Sequence, residues 1–170
     1  MENKPASISS DPRPEEHYHI RIARNGTWFY NGSPIGRLNL VKLFSSVLRR
    51  DEQGDYWLIT PAERGRIDVE DAPFVAVELT VEDSGENQRL VFRTNLDQTV
   101  TAGPDHPIRV AVDPETDEPV PYVMVRGGLE ARIERSVYYE LVDLGIERQS
   151  GGQTQIGIWS GGTFFLLGNL

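Results

Sequence analysis

Along the first half of the chain, apolar positions switch twice between a period of two and a period near 3.6. Tyr18-His19-Ile20-Arg21-Ile22 alternates as a short strand, and Thr27-Trp28-Phe29-Tyr30 is a β-prone run between the turn signals Asn25-Gly26 and Asn31-Gly32. From Arg37 to Arg50 the apolar residues Leu40, Val41, Leu43, Phe44, Val47 and Leu48 fall at spacings of three and four, which predicts a helix with one broad buried stripe. Tyr56-Trp57-Leu58-Ile59 returns to strand. Thr60-Pro61-Ala62-Glu63 has the form of a helix start, with Thr as the cap, Pro first and Glu three residues on, cut short by Gly65. Ile67 and Val69 make a short strand that Asp71-Ala72-Pro73 breaks.

The second half reads mostly as strand. Phe74–Val81 and Leu90–Arg93 form a predicted hairpin around a polar turn, and Gln98–Thr101, Ile108–Val112 and Val120–Val125 are further strands. Gly127-Gly128 leads into a second helix over Ala131–Leu144, with Ile133, Val137, Leu141 and Leu144 inward and Gly145 as its stop. Gln155–Trp159 and Thr163–Leu167 close the chain as a hairpin.

Sliding the chain by 94 residues matches these patterns. Trp28, Phe29 and Tyr30 meet Tyr122, Val123 and Met124, and Ile35 meets Leu129. Leu43, Phe44, Val47 and Leu48 meet Val137, Tyr138, Leu141 and Val142. No pair is identical, so this is matched pattern. Two readings stay open: an internal duplication, or the strand–helix–strand unit common to many α+β folds. Duplication predicts two similar modules around a shared seam, and such seams often hold ligands. The expected fold class is α+β, with a tail over residues 1–17, an N-terminal module over 18–73 and a C-terminal module over 74–170.

Composition narrows the chemistry. Without cysteine there is no disulfide and no thiol nucleophile, and no apolar run approaches the 18 residues that span a membrane. Residues 1–16 lack the apolar stretch of a signal peptide, so cytoplasm is the expected location. The net charge is −9, most of it beyond Phe74. Such a field repels a long phosphate backbone, so bulk nucleic acid is not an expected partner. A small anion differs, because two or three aimed arginines hold it whatever the net charge. Only Lys4 and Lys42 are lysines; every other cation is Arg.

Val125-Arg126-Gly127-Gly128-Leu129-Glu130-Ala131-Arg132 is the leading candidate site. Its glycines admit close backbone approach, and Arg126 and Arg132 can fork onto phosphate or carboxylate. The alternative is a strand-to-helix turn whose arginines pair with Glu130 or Asp71. Arg37 holds a comparable place before the first helix, and Trp28 or Tyr138 would supply a stacking face. Arg49 and Arg50 read as end-of-helix charges. Asp68, Glu70 and Asp71 form an acidic cluster, and His17, His19 and His106 lack the neighbours of a metal or catalytic site. No cofactor is expected.

Several stretches together resemble the bacterial family known as domain of unknown function 1285. They are Trp28, Gly32-Ser33-Pro34-Ile35, Arg37, Leu40-Val41, Leu43-Phe44, Thr60-Pro61-Ala62-Glu63, Val69–Phe74, Val125–Arg132 and Tyr138–Val142. The resemblance implies a duplicated core whose C-terminal part is superficially like a pleckstrin-homology fold. It also implies a role in signalling, with a nucleotide-like or nucleic-acid-based ligand at the domain interface. The expectation is therefore a non-enzymatic sensor that holds a small anionic ligand with Arg37, Arg126, Gly127, Gly128, Arg132 and Trp28 or Tyr138. Two other classes stay open: a protein-interaction module using the acidic loop Asp113–Glu118, with a signalling protein as partner, and a metal-dependent phosphodiester hydrolase using Asp71 or Glu130.

Overall fold

The computed structural model describes residues 11–170. Part of the expected tail, residues 1–10, lies outside them. Regular structure starts at Glu15, so the last three residues of the expected tail belong to a strand. The elements in order are β1 (Glu15–Ile22), β2 (Trp28–Tyr30), β3 (Ser33–Pro34), α1 (Leu38–Ser46), β4 (Leu48–Arg50), β5 (Tyr56–Ile59), β6 (Arg64–Val69) and β7 (Phe74–Glu82). A 3-10 turn (Gly85–Asn87) precedes β8 (Arg89–Thr94), β9 (Thr99–Thr101), β10 (Ile108–Val112), β11 (Pro119–Arg126) and β12 (Leu129–Ile133). Then come α2 (Arg135–Leu144), β13 (Ile146–Ser150), β14 (Gln153–Ser160) and β15 (Thr163–Asn169). The protein is thus mostly β with two short helices, where the sequence pattern suggested a more even α+β balance.

Both helices are shorter than their apolar stripes suggest, for one reason: alternation next to a helix can continue its spacing. Leu48 extends the stripe of α1, yet it is fully buried as a strand residue facing Leu58 across the β4–β5 ladder. Leu129, Ala131 and Ile133 are buried and alternate with half-buried Glu130 and Arg132, so β12 occupies the start of the expected second helix. Thr60–Glu63 forms no helix either. The Thr60 N–H donates to the Glu63 carbonyl (2.9 Å), and the Glu63 N–H donates to Thr60 Oγ1 (3.2 Å). The cap-like bond is made, but the chain reverses to pair β6 with β5.

Two compact units are present. The first contains the described chain up to Phe74 together with Arg126–Leu129; the second contains Val75–Val125 and Glu130–Leu170. The first unit holds one sheet in the order β3-β2-β1-β6-β5-β4. Its centre is the parallel β1–β6 ladder, flanked by antiparallel pairs. Ile20, Ile22, Trp28, Val41, Leu48, Leu58 and Ile67 form its core. Phe44 of α1 stacks on Trp28, with ring centroids 6.3 Å apart. Successive strand residues face opposite ways, so Trp57 and Leu58 bury on different faces. The Trp57 ring carries the guanidinium groups of Arg64 and Arg66 at 5.0 and 4.9 Å. Its indole N–H donates to Asp51 Oδ2 (2.9 Å).

The second unit contains a sheet in the order β10-β11-β12-β7-β8-β9 and an antiparallel β13-β14-β15 sheet. Phe92, Leu90, Val123, Ile133, Leu141 and Ile158 are its most buried apolar side chains. One polar residue ties its strands together. The Ser160 hydroxyl is fully buried, donates to the Ala102 carbonyl (2.7 Å) and accepts the Leu90 N–H (2.9 Å). Ser160→Ala strands both main-chain groups, and urea titration is expected to show a loss of about 1–3 kcal/mol.

Each unit runs through the same order: three strands, a helix, three strands. In the first these are β1–β3, α1 and β4–β6; in the second, β10–β12, α2 and β13–β15. Beside these, the second unit has β7, β8 and β9. No helix among the described residues is long and apolar enough to cross a membrane.

Candidate functional site

Where α1 ends, its last carbonyls have no intrahelical partner. Val47 closes the helix with backbone bonds alone, and the chain turns straight into β4. Two arginines reach the carbonyls at this end, and a third, Arg50, bonds the turn beside them. Arg49 Nη1 donates to the Ser46 carbonyl (3.3 Å) and the Leu48 carbonyl (2.7 Å). Arg126 Nη2 donates to the Ser45 carbonyl (2.5 Å), and its Nη1 donates to the same Leu48 oxygen (3.3 Å). Arg50 Nη1 donates to the Gly128 carbonyl (3.1 Å). Its guanidinium stands over the Tyr56 ring at 5.2 Å.

Two guanidinium groups bonded to one carbonyl oxygen are necessarily side by side. Burial, and then the Arg49 cation, push the pKa of Arg126 below the ordinary arginine value. Among the described residues none of these three arginines has a carboxylate partner. Five other arginines do have one: Arg21 faces Glu70, Arg66 faces Asp55, Arg89 faces Glu82, Arg93 faces Glu78, and Arg109 grips Glu130 through two 2.8 Å bonds. Each guanidinium offers five N–H donors, and the bonds above use only some of them.

Gly127 and Gly128 form the turn next to this cluster. Both have positive φ (52° and 82°), which suits a two-residue hairpin turn and which L side chains rarely adopt. They join β11 to β12, neighbours in one sheet, and are not the expected strand-to-helix turn. That hairpin tip carries Arg126 into the first unit.

The other expected site residues lie elsewhere. Trp28 is 1% exposed and stacked on Phe44, so its ring offers no face to a ligand; the expected stacking role is corrected. Arg37 is exposed on the residue before α1 and lines a shallow hollow with Leu38, Leu40 and Leu43. Arg132 is half-buried on β12, in the second unit. Tyr138 of α2 is also in the second unit and donates its hydroxyl to the Leu167 carbonyl (3.3 Å); burial raises its pKa. Arg126, Gly127 and Gly128 are therefore brought together, and Arg49 and Arg50 join them. The sequence signal for that pair, Arg-Arg after an apolar stripe, reads as helix-end charge, and Arg49 does bond the last carbonyl of α1.

The acidic candidates are engaged by the protein itself. Glu70 accepts the Arg24 N–H (2.9 Å) and pairs with Arg21; the Arg24 bond is the main reason its carboxyl titrates below the usual value. His17 Nε2 lies 3.6 Å from Asp68 Oδ2, and His106 Nδ1 lies 2.9 Å from the Met124 carbonyl oxygen. Among the described residues no group of three His, Asp or Glu side chains is placed to hold a metal ion. In the acidic loop, Asp113 accepts the Glu115 N–H and Glu118 pairs with Arg135.

Comparison with known proteins matches both parts of the chain. Residues 8–72 match the N-terminal domain of DUF1285, described as a domain of unknown function, and residues 73–167 match its C-terminal domain, described as a protein of unknown function. No curated protein matches the chain. The crystal structure of a DUF1285 family protein from Silicibacter pomeroyi DSS-3 is 45% identical, with a TM-score of 0.85, and the match covers 100% of this chain and 91% of that one. Another, from Shewanella baltica OS155, is 26% identical with a TM-score of 0.58, covering 74% of this chain and 91% of that one. The sequence motifs, both domain matches and the shared fold agree that this chain belongs to the DUF1285 family.

Proposed function

We propose that this protein is a non-enzymatic ligand-binding protein, and that a small anion, nucleotide-like in kind, binds at Arg49, Arg50 and Arg126. The observation that carries the reading is this group of three cations without a carboxylate partner among the described residues, in a chain of net charge −9. Guanidinium groups already fixed on main-chain carbonyls lose little freedom on gripping a phosphate, and their fork geometry favours it over a halide. The Tyr56 ring under Arg50 would suit the base of a nucleotide. Occupancy of the cluster would be the input of a sensor or adaptor in bacterial signalling. We also read the repeated strand–helix–strand order of the two units as an internal duplication. The pleckstrin-homology likeness of the C-terminal part rests on its antiparallel sheets and single helix.

Thermal unfolding with ATP, GTP and inorganic pyrophosphate tests the reading, since a ligand of the folded state raises Tm. The expected result is a rise in Tm with at least one of them, and affinity weaker by on the order of tenfold in Arg49→Gln. Arg49 is exposed, so its replacement should leave the empty protein's melting nearly unchanged. Arg126→Gln should weaken binding further but also lower Tm without ligand, because it leaves the Ser45 carbonyl without this donor. A Tm indifferent to all three anions well above millimolar concentration overturns the reading.

A further inference from the structure

The first unit has a second concave feature: a cleft of about 400 Å³ between β1, the C-terminal half of α1 and the β5–β6 turn. Tyr18, Tyr30 and Phe44 supply its rings, with the imidazoles of His17 and His19 and the carboxylate of Glu63 beside them. Two of these rings are fixed from behind. The Tyr18 ring lies against Gly65, where an added Cβ would overlap it, and burial, then the Glu63 charge, raises the pKa of its hydroxyl. Phe44 is backed by Trp28. Tyr30 is 55% exposed and stands at the rim.

The electrostatics are opposite to those of the arginine cluster. Among the described residues no Lys or Arg lines the cleft. Arg13, which donates to the carbonyl of the lining residue Thr60, is paired with Asp11. His17 faces Asp68. Aromatic faces are negative at their centres, and a carboxylate at the edge adds to that potential, the combination that recognises ammonium groups.

We infer that this cleft is a binding site for a small organic cation with an apolar body, such as a methylated or aryl ammonium. Tyr18, Tyr30 and Phe44 enclose the alkyl groups and Glu63 neutralises the charge.

Two-dimensional NMR of the full chain tests this, at about pH 8 where ordinary imidazoles are neutral. The probes are phenyltrimethylammonium and benzenesulfonate, aryl ions of similar size and opposite sign. The expected result is that the cation shifts the amide signals of Tyr18, Phe44 and Glu63 saturably, and that benzenesulfonate leaves them in place. Glu63→Gln and Tyr30→Ala, both at exposed positions, should each weaken the cation by on the order of fivefold to tenfold while the spectrum stays folded. Equal binding of both probes, preference for the sulfonate, no saturable shift, or indifference to both substitutions would overturn the inference. Because no arginine among the described residues lines the cleft, any of these outcomes leaves the anion reading of Arg49, Arg50 and Arg126 standing.

Discussion

Trp28→Ala is expected to lower the unfolding free energy by about 3–5 kcal/mol, the range for deleting a large buried aromatic. The residue is 1% exposed, and its ring is the surface on which Phe44 rests. Removing it leaves a void in the first unit's core and frees one wall of the neighbouring cleft. A more discriminating comparison is Trp28→Phe. The buried indole N–H of Trp28 has no hydrogen-bond partner among the described residues. Phenylalanine discards that unmet donor while keeping most of the ring, so its cost should fall well below that of alanine. Urea unfolding of the three proteins decides the matter. If Phe costs as much as Ala, stacking geometry matters more than the orphaned donor.

Asp51→Ala is expected to cost about 2–4 kcal/mol, since several donors lose their acceptor at about 1–3 kcal/mol for each one left buried. Asp51 is 4% exposed. It accepts the Trp57 indole N–H through one oxygen, and the N–H groups of Gln53 (3.0 Å) and Asp55 (2.8 Å) through the other. Burial by itself would raise its pKa. The Trp57 bond and the two main-chain bonds, helped by the Arg66 cation, outweigh burial and hold the carboxyl below its ordinary value. A depressed folded-state pKa stabilises the protein above the unfolded value of about 4, and that stability is lost as pH falls through the folded value. Stability of the wild type should therefore decline on acidification below about pH 4 with a component that Asp51→Asn lacks. Asparagine can keep the two main-chain bonds, but its amide N–H₂ would face the Trp57 N–H and repel it. Stability measured against pH in both proteins would show the component; parallel curves would exclude it.

Much of the fold can be read from residue order, and the exceptions share a physical cause. Tyr56–Ile59, Ile108–Val112 and Val120–Val125 are legible because they are short β-prone runs bounded by turn residues. The 94-residue offset matches strand with strand, but in the helices it sets exposed Leu43 against buried Val137. Leu48 and Ile133 are not legible, since a residue one turn from a helix stripe satisfies both periods until a partner strand decides. Strand β13 is invisible in the pattern: all five of its residues are exposed, so burial never marks it. At the candidate site, Arg126, Gly127 and Gly128 stand out as a motif. Their partners Arg49 and Arg50 lie far away in the chain, and only the approach of β4 to the hairpin tip shows where they converge. No local pattern reports whether an arginine has a carboxylate opposite it.

The hairpin tip that groups with the first unit has a consequence for synthesis. The ribosome releases the chain from its N-terminus onward, and Arg126–Leu129 emerges more than fifty residues after Phe74. Until then the nascent first unit lacks the Arg126 guanidinium that bonds the Ser45 and Leu48 carbonyls. A gene fragment stopping after residue 73 would encode one family domain and still be missing a piece of its own fold, so the boundary drawn along the sequence is not the boundary of what must be made before that unit is whole.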